Sequence, residues 1–275
     1  MKFKQLLFIF TLLVFMYSCT DEIGPNITIT KTDRVVLIEE FTGVRCVNCP
    51  QGSAEINALA ETYGDNLIAI SIHGGVFSDP YPESDFDFRT DDGDDLISYL
   101  NSPNSGPVGY PAAVINRKLH NGSGQDRAVF QSSWSGIISN EVQQKADVQI
   151  EMNKTYDATT RTVTINPALF FQEAVSGEVH FTALITHDSI IDVQLDQNGK
   201  VPKYAHRHVF RDVITNSYAG DVVGTDIVKD ATATLNYSYT IPNEWEVSKC
   251  YVVVFVNRND GATIDVLQAA EAHVE

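Results

Sequence analysis

Cys46-Val47-Asn48-Cys49-Pro50 is the stretch whose residue types and spacing point most directly to chemistry. Two cysteines separated by two residues can close a disulfide. At a helix N-terminus the first is held where unpaired backbone N–H groups and the helix dipole favour its thiolate. Arg45 adds a neighbouring cation that should lower the Cys46 pKa further, and Pro50 supplies no backbone donor to Cys49. The pair is open to structural use, to redox use, or to both.

The elements around the pair support that placement. An apolar run, Val35 to Phe41, reads as a strand. Pro50 suits an early helical position, Ile56, Leu59, Ala60 and Tyr63 recur at helical spacing, and Gly64 stops the run before a second strand, Leu67 to Ile72. This predicts a βαβ unit with the cysteines at the carboxyl end of its first strand. Residues 73–95 read as a surface insertion whose last aspartates cap a short helix, Asp94 to Leu100. Phe88 and Thr90 stand where calcium ligands would precede Asp92-Gly93, so no metal site is assigned. Gly106-Pro107-Val108-Gly109-Tyr110-Pro111 feeds another strand, Ala112 to Ile115, with Pro111 a candidate cis proline. Val129, Trp134, Ile137, Ile138 and Val142 predict a covering helix within residues 126–146.

From Asp147 the hydrophobic period changes to two. Val148 to Met152, Val163 to Phe171, Val179 to Ile185, Thr232 to Ile241, Cys250 to Val256 and Thr263 to Ala269 read as strands divided by turns such as Asp196-Gln197-Asn198-Gly199. The expected fold is therefore two-domain α+β. An α/β domain over residues 34–145 precedes an all-β, Ig-like sandwich over residues 146–275.

Composition bounds the setting. A net charge of −17 over 275 residues disfavours nucleic acid and electrostatic attachment to an anionic membrane. Lys2 and Lys4 followed by an apolar stretch from Leu6 to Tyr17 read as a signal peptide over residues 1–18, too short to span a bilayer. Met16-Tyr17-Ser18-Cys19 resembles the lipobox of bacterial lipoproteins, which implies lipidation of Cys19, a membrane partner through that lipid, and residues 19–33 as a tether. Outside the cytoplasm a disulfide persists.

Three features together resemble the thioredoxin superfamily: the strand entering Phe41-Thr42-Gly43-Val44-Arg45-Cys46-Val47-Asn48-Cys49, the βαβ unit, and Val108-Gly109-Tyr110-Pro111-Ala112. The resemblance implies Cys46 as attacking thiolate, Cys49 as resolving thiol, Pro111 as the cis proline shaping a substrate groove, and Glu40 as a buried acid that moves the resolving proton. Arg45, Val47-Asn48 and Pro50 depart from that pattern. Over nearly the whole chain, Glu39-Glu40-Phe41-Thr42-Gly43, His206-Arg207-His208-Val209-Phe210-Arg211-Asp212 and Val266-Leu267-Gln268-Ala269-Ala270-Glu271 resemble the outer-membrane lipoprotein family related to the 28-kilodalton outer-membrane protein of Bacteroidetes-type bacteria. That resemblance implies a cell-envelope address, periplasmic or surface-exposed.

The expected function is thiol–disulfide exchange with protein thiol or disulfide substrates through Cys46 and Cys49, without a cofactor. The alternative is a non-enzymatic surface lipoprotein, an adhesin or binding module, with a structural Cys46–Cys49 link. His206 and His208, on one face if the segment is a strand, form with Arg211 a polar cluster suited to hydrogen bonding or partner contact; with no third ligand nearby it is not assigned a metal. Cys250, in an apolar strand, reads as a buried inert thiol.

Cys19→Ser is expected to move the protein from the membrane fraction to the soluble fraction. Wild-type protein that fractionates as soluble, with no lipid mass on its N-terminus, would refute the anchor.

Overall fold

The computed structural model describes residues 34–101, 109–120, 127–260 and 263–275. The expected signal, tether and lipidated Cys19 lie outside the described residues. The first elements are β1 (Val36–Thr42), α1 (Cys49–Tyr63) and β2 (Leu67–His73). β1 and β2 are parallel and wholly buried, as their almost unbroken apolar sequences require. α1 starts with Pro50 in its first turn and turns Ile56, Leu59 and Tyr63 inward. α2 (Asp91–Leu100) begins earlier than the aspartate pattern predicts because Thr90 Oγ1 accepts from the Gly93 N–H at 2.9 Å. β3 (Ala112–Ile115) pairs antiparallel with β1, and β4 (Ala128–Phe130) flanks it at the sheet edge; α3 (Trp134–Glu141) follows.

The second half holds β5 (Val148–Asp157), β6 (Thr162–Phe171), β7 (Val175–His187), β8 (Ile190–Asp196), β9 (Gly199–His206) and β10 (Val209–Val213). It continues through β11 (Asp221–Ile227), β12 (Thr232–Thr234), β13 (Tyr237–Thr240), β14 (Cys250–Arg258) and β15 (Val266–His273). β5 and β6 form a long hairpin, and β12 and β13 lie end to end along the other side of β6. The predicted strand over Thr232 to Ile241 is thus two short ones.

The expected α+β division into a thioredoxin-like α/β domain and a separate Ig-like sandwich is overturned. The chain is mostly β, with fifteen strands against three α-helices among the described residues. Its nine-stranded main sheet runs β15-β14-β7-β10-β2-β1-β3-β4, with β11 also on β7. β10 is the join, antiparallel to β7 and parallel to β2 through Val209 and Ser71. Periodicity reports which way a residue faces, but not which distant strand lies beside it, so the change of period at Asp147 did not reveal this shared sheet.

Both faces of the main sheet are covered. On one, Leu37, Ile70, Ile72, Phe210, Val253 and Phe255 form a continuous core under α2, which contributes Leu96 and Leu100. On the other, α1 and α3 cover Val36, Ile38 and Ala69 at one end. At the far end the β5–β6 sheet packs Val163, Ile165 and Leu169 against Phe181, Val252 and Val254. Val252 to Val256 are apolar throughout because β14 is interior on both faces.

A fragment of residues 34–145 keeps β1 to β4 but opens the β10 side of β2 and removes Phe210 and Leu184 from the core containing Ile70 and Ile72. Each large apolar side chain so exposed costs about 1.5–3 kcal/mol. The fragment is expected to lose cooperative unfolding, measured by circular dichroism in urea. A sharp transition like that of the full chain would establish it as an independent domain.

Candidate functional site

The cysteine turn follows β1 directly. Gly43 is required there, since a Cβ would stand 2.3 Å from the Phe77 carbonyl oxygen. The Cys46 N–H donates to the Gly43 carbonyl at 3.0 Å and the Cys49 N–H to the Cys46 carbonyl at 3.3 Å, which leads into α1. Cys46 and Cys49 are joined in a disulfide with a Cα–Cα distance of 5.3 Å. Asn48 makes no side-chain cap, and no acidic residue stands in the first turn of α1. The Arg45 guanidinium is engaged elsewhere: it donates to the carbonyls of Asp79 at 2.6 Å and Pro80 at 2.7 Å, and lies over the Tyr81 ring.

Glu40 and Pro111 do meet the cysteine helix. Glu40 is fully buried, between Ser71 on β2 and Ala113 on β3. At Gly52, in the first turn of α1, a Cβ would come within 2.8 Å of both Glu40 Oε1 and the Pro111 side chain. The Tyr110–Pro111 peptide is cis. Ser71 Oγ donates to Glu40 Oε2 at 3.0 Å, while Oε1 has no partner among the described residues. Burial pushes the Glu40 carboxyl up to about 8, and the Ser71 hydrogen bond offsets only part of this.

The disulfide is covered. Cys46 is 3% and Cys49 1% exposed, although Arg45, Val47 and Asn48 around them are exposed. The β8–β9 hairpin supplies the cover: buried Gln194 donates its amide to the carbonyls of Cys46 at 3.1 Å and Gly43 at 3.2 Å, and the Leu195 N–H donates to the Val44 carbonyl at 2.8 Å. Val44 packs with Phe88, Ile190 and Val209. On β9, Tyr204 shares a side-chain hydrogen bond with Ser53 of α1 and lies in the field of Glu40. Asp192 ties the insertion to the hairpin by accepting from the Asp85 and Phe86 N–H groups at 3.3 and 2.8 Å.

His206, His208 and Arg211 do not share one face. His206 ends β9, and His208 has a φ of +53° at the turn into β10. The His206 ring packs edge-on against His73 and Tyr204 and tilted against Phe88; burial lowers its pKa to about 4 and that of His73 well below the usual range. His208 acts through its backbone, donating to Asp188 Oδ1 at 3.0 Å and accepting from the Ser71 N–H at 2.7 Å. Arg211 lies over the Trp245 ring. No group of three potential metal-binding side chains converges among the described residues. The sequence reading missed Ser71, His73, Gln194 and Tyr204. A polar residue inside an otherwise apolar strand is the signal for Ser71; the others come together only through long-range pairing.

The model of the family described as outer membrane protein Omp28 matches residues 102–274, more than half of the chain. No curated protein matches the sequence. Among solved structures the chain is similar to HBP35 of Porphyromonas gingivalis, with 17% identity, a TM-score of 0.69, and coverage of 88% of this chain and 76% of that one. A protein from Agrobacterium tumefaciens matches with 15% identity and a TM-score of 0.50, over 89% of this chain and 96% of that one. These likenesses concern the fold. A domain of the outer membrane lipoprotein Omp28 from Porphyromonas gingivalis matches at 13% identity over 47% of this chain and 89% of that one, with a TM-score of 0.32 that adds nothing to the fold comparison.

Glu40 also makes stability depend on pH. Its folded pKa of about 8 lies above the ordinary value of 4.5, so the folded state holds a proton that the unfolded state has released between those limits. This contribution is complete below about pH 4.5 and is lost as pH rises toward 8, at up to about 1.4 kcal/mol per pH unit. Urea unfolding of wild type and Glu40→Gln across pH 5 to 8 is expected to differ by that slope. Parallel curves would refute the protonated carboxyl.

Proposed function

The chain belongs to the outer membrane protein Omp28 family, and from that premise we propose that it is a non-enzymatic binding lipoprotein in which Cys46–Cys49 is a structural brace. Its place is the outer-membrane cell envelope. Lipidated Cys19 is the anchor in this reading. The observation that carries the proposal is the enclosure of the disulfide, with both sulfurs' residues buried and Gln194 bonded to the Cys46 carbonyl. An attacking thiol must reach a disulfide on another macromolecule, and reactive cysteines sit in partly exposed surroundings. Arg45, the cation expected to activate Cys46, is occupied by Asp79 and Pro80.

One observation favours the second reading, thiol–disulfide exchange. Glu40, with Oε1 unpartnered, lies against the first turn of the cysteine helix beside Pro111. A carboxyl pushed up to about 8 is suited to moving a thiol's proton.

The two readings diverge in experiment. If the disulfide is a brace, its reduction potential lies below about −300 mV, and the double variant Cys46→Ala/Cys49→Ala loses roughly 2 kcal/mol of stability, the chain-entropy value for so short a loop. The protein then shows no disulfide reductase activity. Mixed disulfides trapped by Cys49→Ala but not by Cys46→Ala would replace this proposal with exchange.

A further inference from the structure

Away from the cysteine turn, a cavity of about 240 Å³ is lined by Arg34, Lys118, Lys145 and Arg258 together with Asp147 and Asp265. The chain carries only 19 lysines and arginines against 36 acids, so four cations around one small cavity go against the overall charge. Glu141 is the one carboxylate in an ion pair with any of the four among the described residues. It stands 3.8 Å from Arg34 and 2.7 Å from Lys118, and also accepts from Asn116.

Two buried guanidinium donors at this cavity have no hydrogen-bond partner among the described residues. Arg34 is 3% exposed, and its Nη2 is held by the Val266 carbonyl at 2.8 Å, but its Nε has no hydrogen-bond partner among the described residues; nor has the buried Nε of Arg258. Donors removed from water without a partner are costly, and in native structures they call for a specific explanation. Guanidinium forks suit the oxygens of a phosphate, and lysine adds an adaptable point charge. The two aspartates can accept only from donors, which a bare anion lacks and a hydroxylated ligand has.

We propose that this cavity binds a phosphate monoester on a hydroxylated carrier, with the phosphate facing Arg34, Arg258, Lys118 and Lys145 and hydroxyl groups donating to Asp147 and Asp265. The phosphate can come from a soluble sugar phosphate or from a lipid headgroup. The cavity is a binding site separate from the disulfide, and its occupancy does not depend on either reading of the cysteines.

Titration calorimetry on the full-length mature protein tests the proposal with three probes: glucose 6-phosphate, glucose, and phosphatidylcholine vesicles with or without phosphatidylinositol 4-phosphate, a monoester on a hydroxylated ring. Glucose 6-phosphate is expected to bind in the submillimolar range, more weakly at higher salt, while glucose does not bind. Arg258→Gln and Lys145→Gln should each weaken binding about tenfold, that is by 1.4 kcal/mol. Binding to phosphatidylinositol 4-phosphate vesicles alone, lost in the same variants, assigns the site to a lipid headgroup. Lys145 is exposed, so Lys145→Gln keeps the test valid if Arg258→Gln unfolds. Absence of binding to every phosphate probe, or binding that both folded variants retain in full, overturns the proposal.

Discussion

The architecture depends on the five residues of β10 lying between β2 and β7. β10 is parallel to β2 and meets it at Ser71, near the carboxyl end of that strand. The chain just before β10 is held at the same end of β2, since the His208 carbonyl accepts from the Ser71 N–H at 2.7 Å. That chain is the β8–β9 hairpin, whose Gln194 reaches the Cys46 carbonyl and whose His206 ring lies edge-on to His73. The cover over the disulfide thus comes from the segment that leads into β10, and the Gln194 and Leu195 hydrogen bonds fasten it to the cysteine turn.

The same constraint explains two adjacent acids in a buried strand. Successive residues of β1 face opposite sides of the sheet, so Glu39 and Glu40 meet different surroundings, both without water. Glu39 receives a bidentate hydrogen bond from buried Arg117, at 2.8 and 2.9 Å, and that guanidinium lies over the Phe255 ring of β14. Glu40 has only the Ser71 hydroxyl among the described residues and holds its proton instead. A buried carboxylate must be paired or neutralised, and β1 contains one instance of each. Arg117 follows Asn116, whose side chain accepts from Leu37 and donates to Glu141. Asn116 and Arg117, just after β3, therefore fasten β1, α3 and, through the guanidinium over Phe255, the core at β14.

Local features were legible in the sequence. The βαβ unit, Pro50 in the first turn of α1, the turn before β9 and the apolar strands β6, β7 and β14 follow from periodicity and turn chemistry. The likeness of the first unit to a self-contained α/β fold misled, because β2 is joined to the second half of the chain: β10 pairs with it at Ser71 from more than 130 residues away. The site was half legible. Cys46, Cys49, Glu40 and Pro111 were singled out and lie around the start of α1. Their cover was not foreseen, since Gln194 and Tyr204 stand in a polar hairpin with no local signature. His206 and His208 were placed on one strand face because the left-handed turn at His208 interrupts a stretch that otherwise reads as extended.

The family match begins at residue 102 and so contains the hairpin, β10 and the sandwich, but not Cys46 or Cys49. Membership therefore bears on the platform and its cover, and the chemistry of the cysteines rests on this chain's geometry alone. To expose Cys46 the hairpin must at least release the two Gln194 bonds and the Leu195 bond. At about 1 kcal/mol each these come to about 3 kcal/mol, or an open fraction of roughly one in a hundred. Separating Val44 from Ile190 and Phe88 lowers that fraction further. An exchange reaction would be slowed by the same factor, whereas a brace loses nothing by being enclosed. Burial that hinders catalysis protects a structural disulfide from reductants, and this asymmetry is the physical ground for preferring the binding lipoprotein.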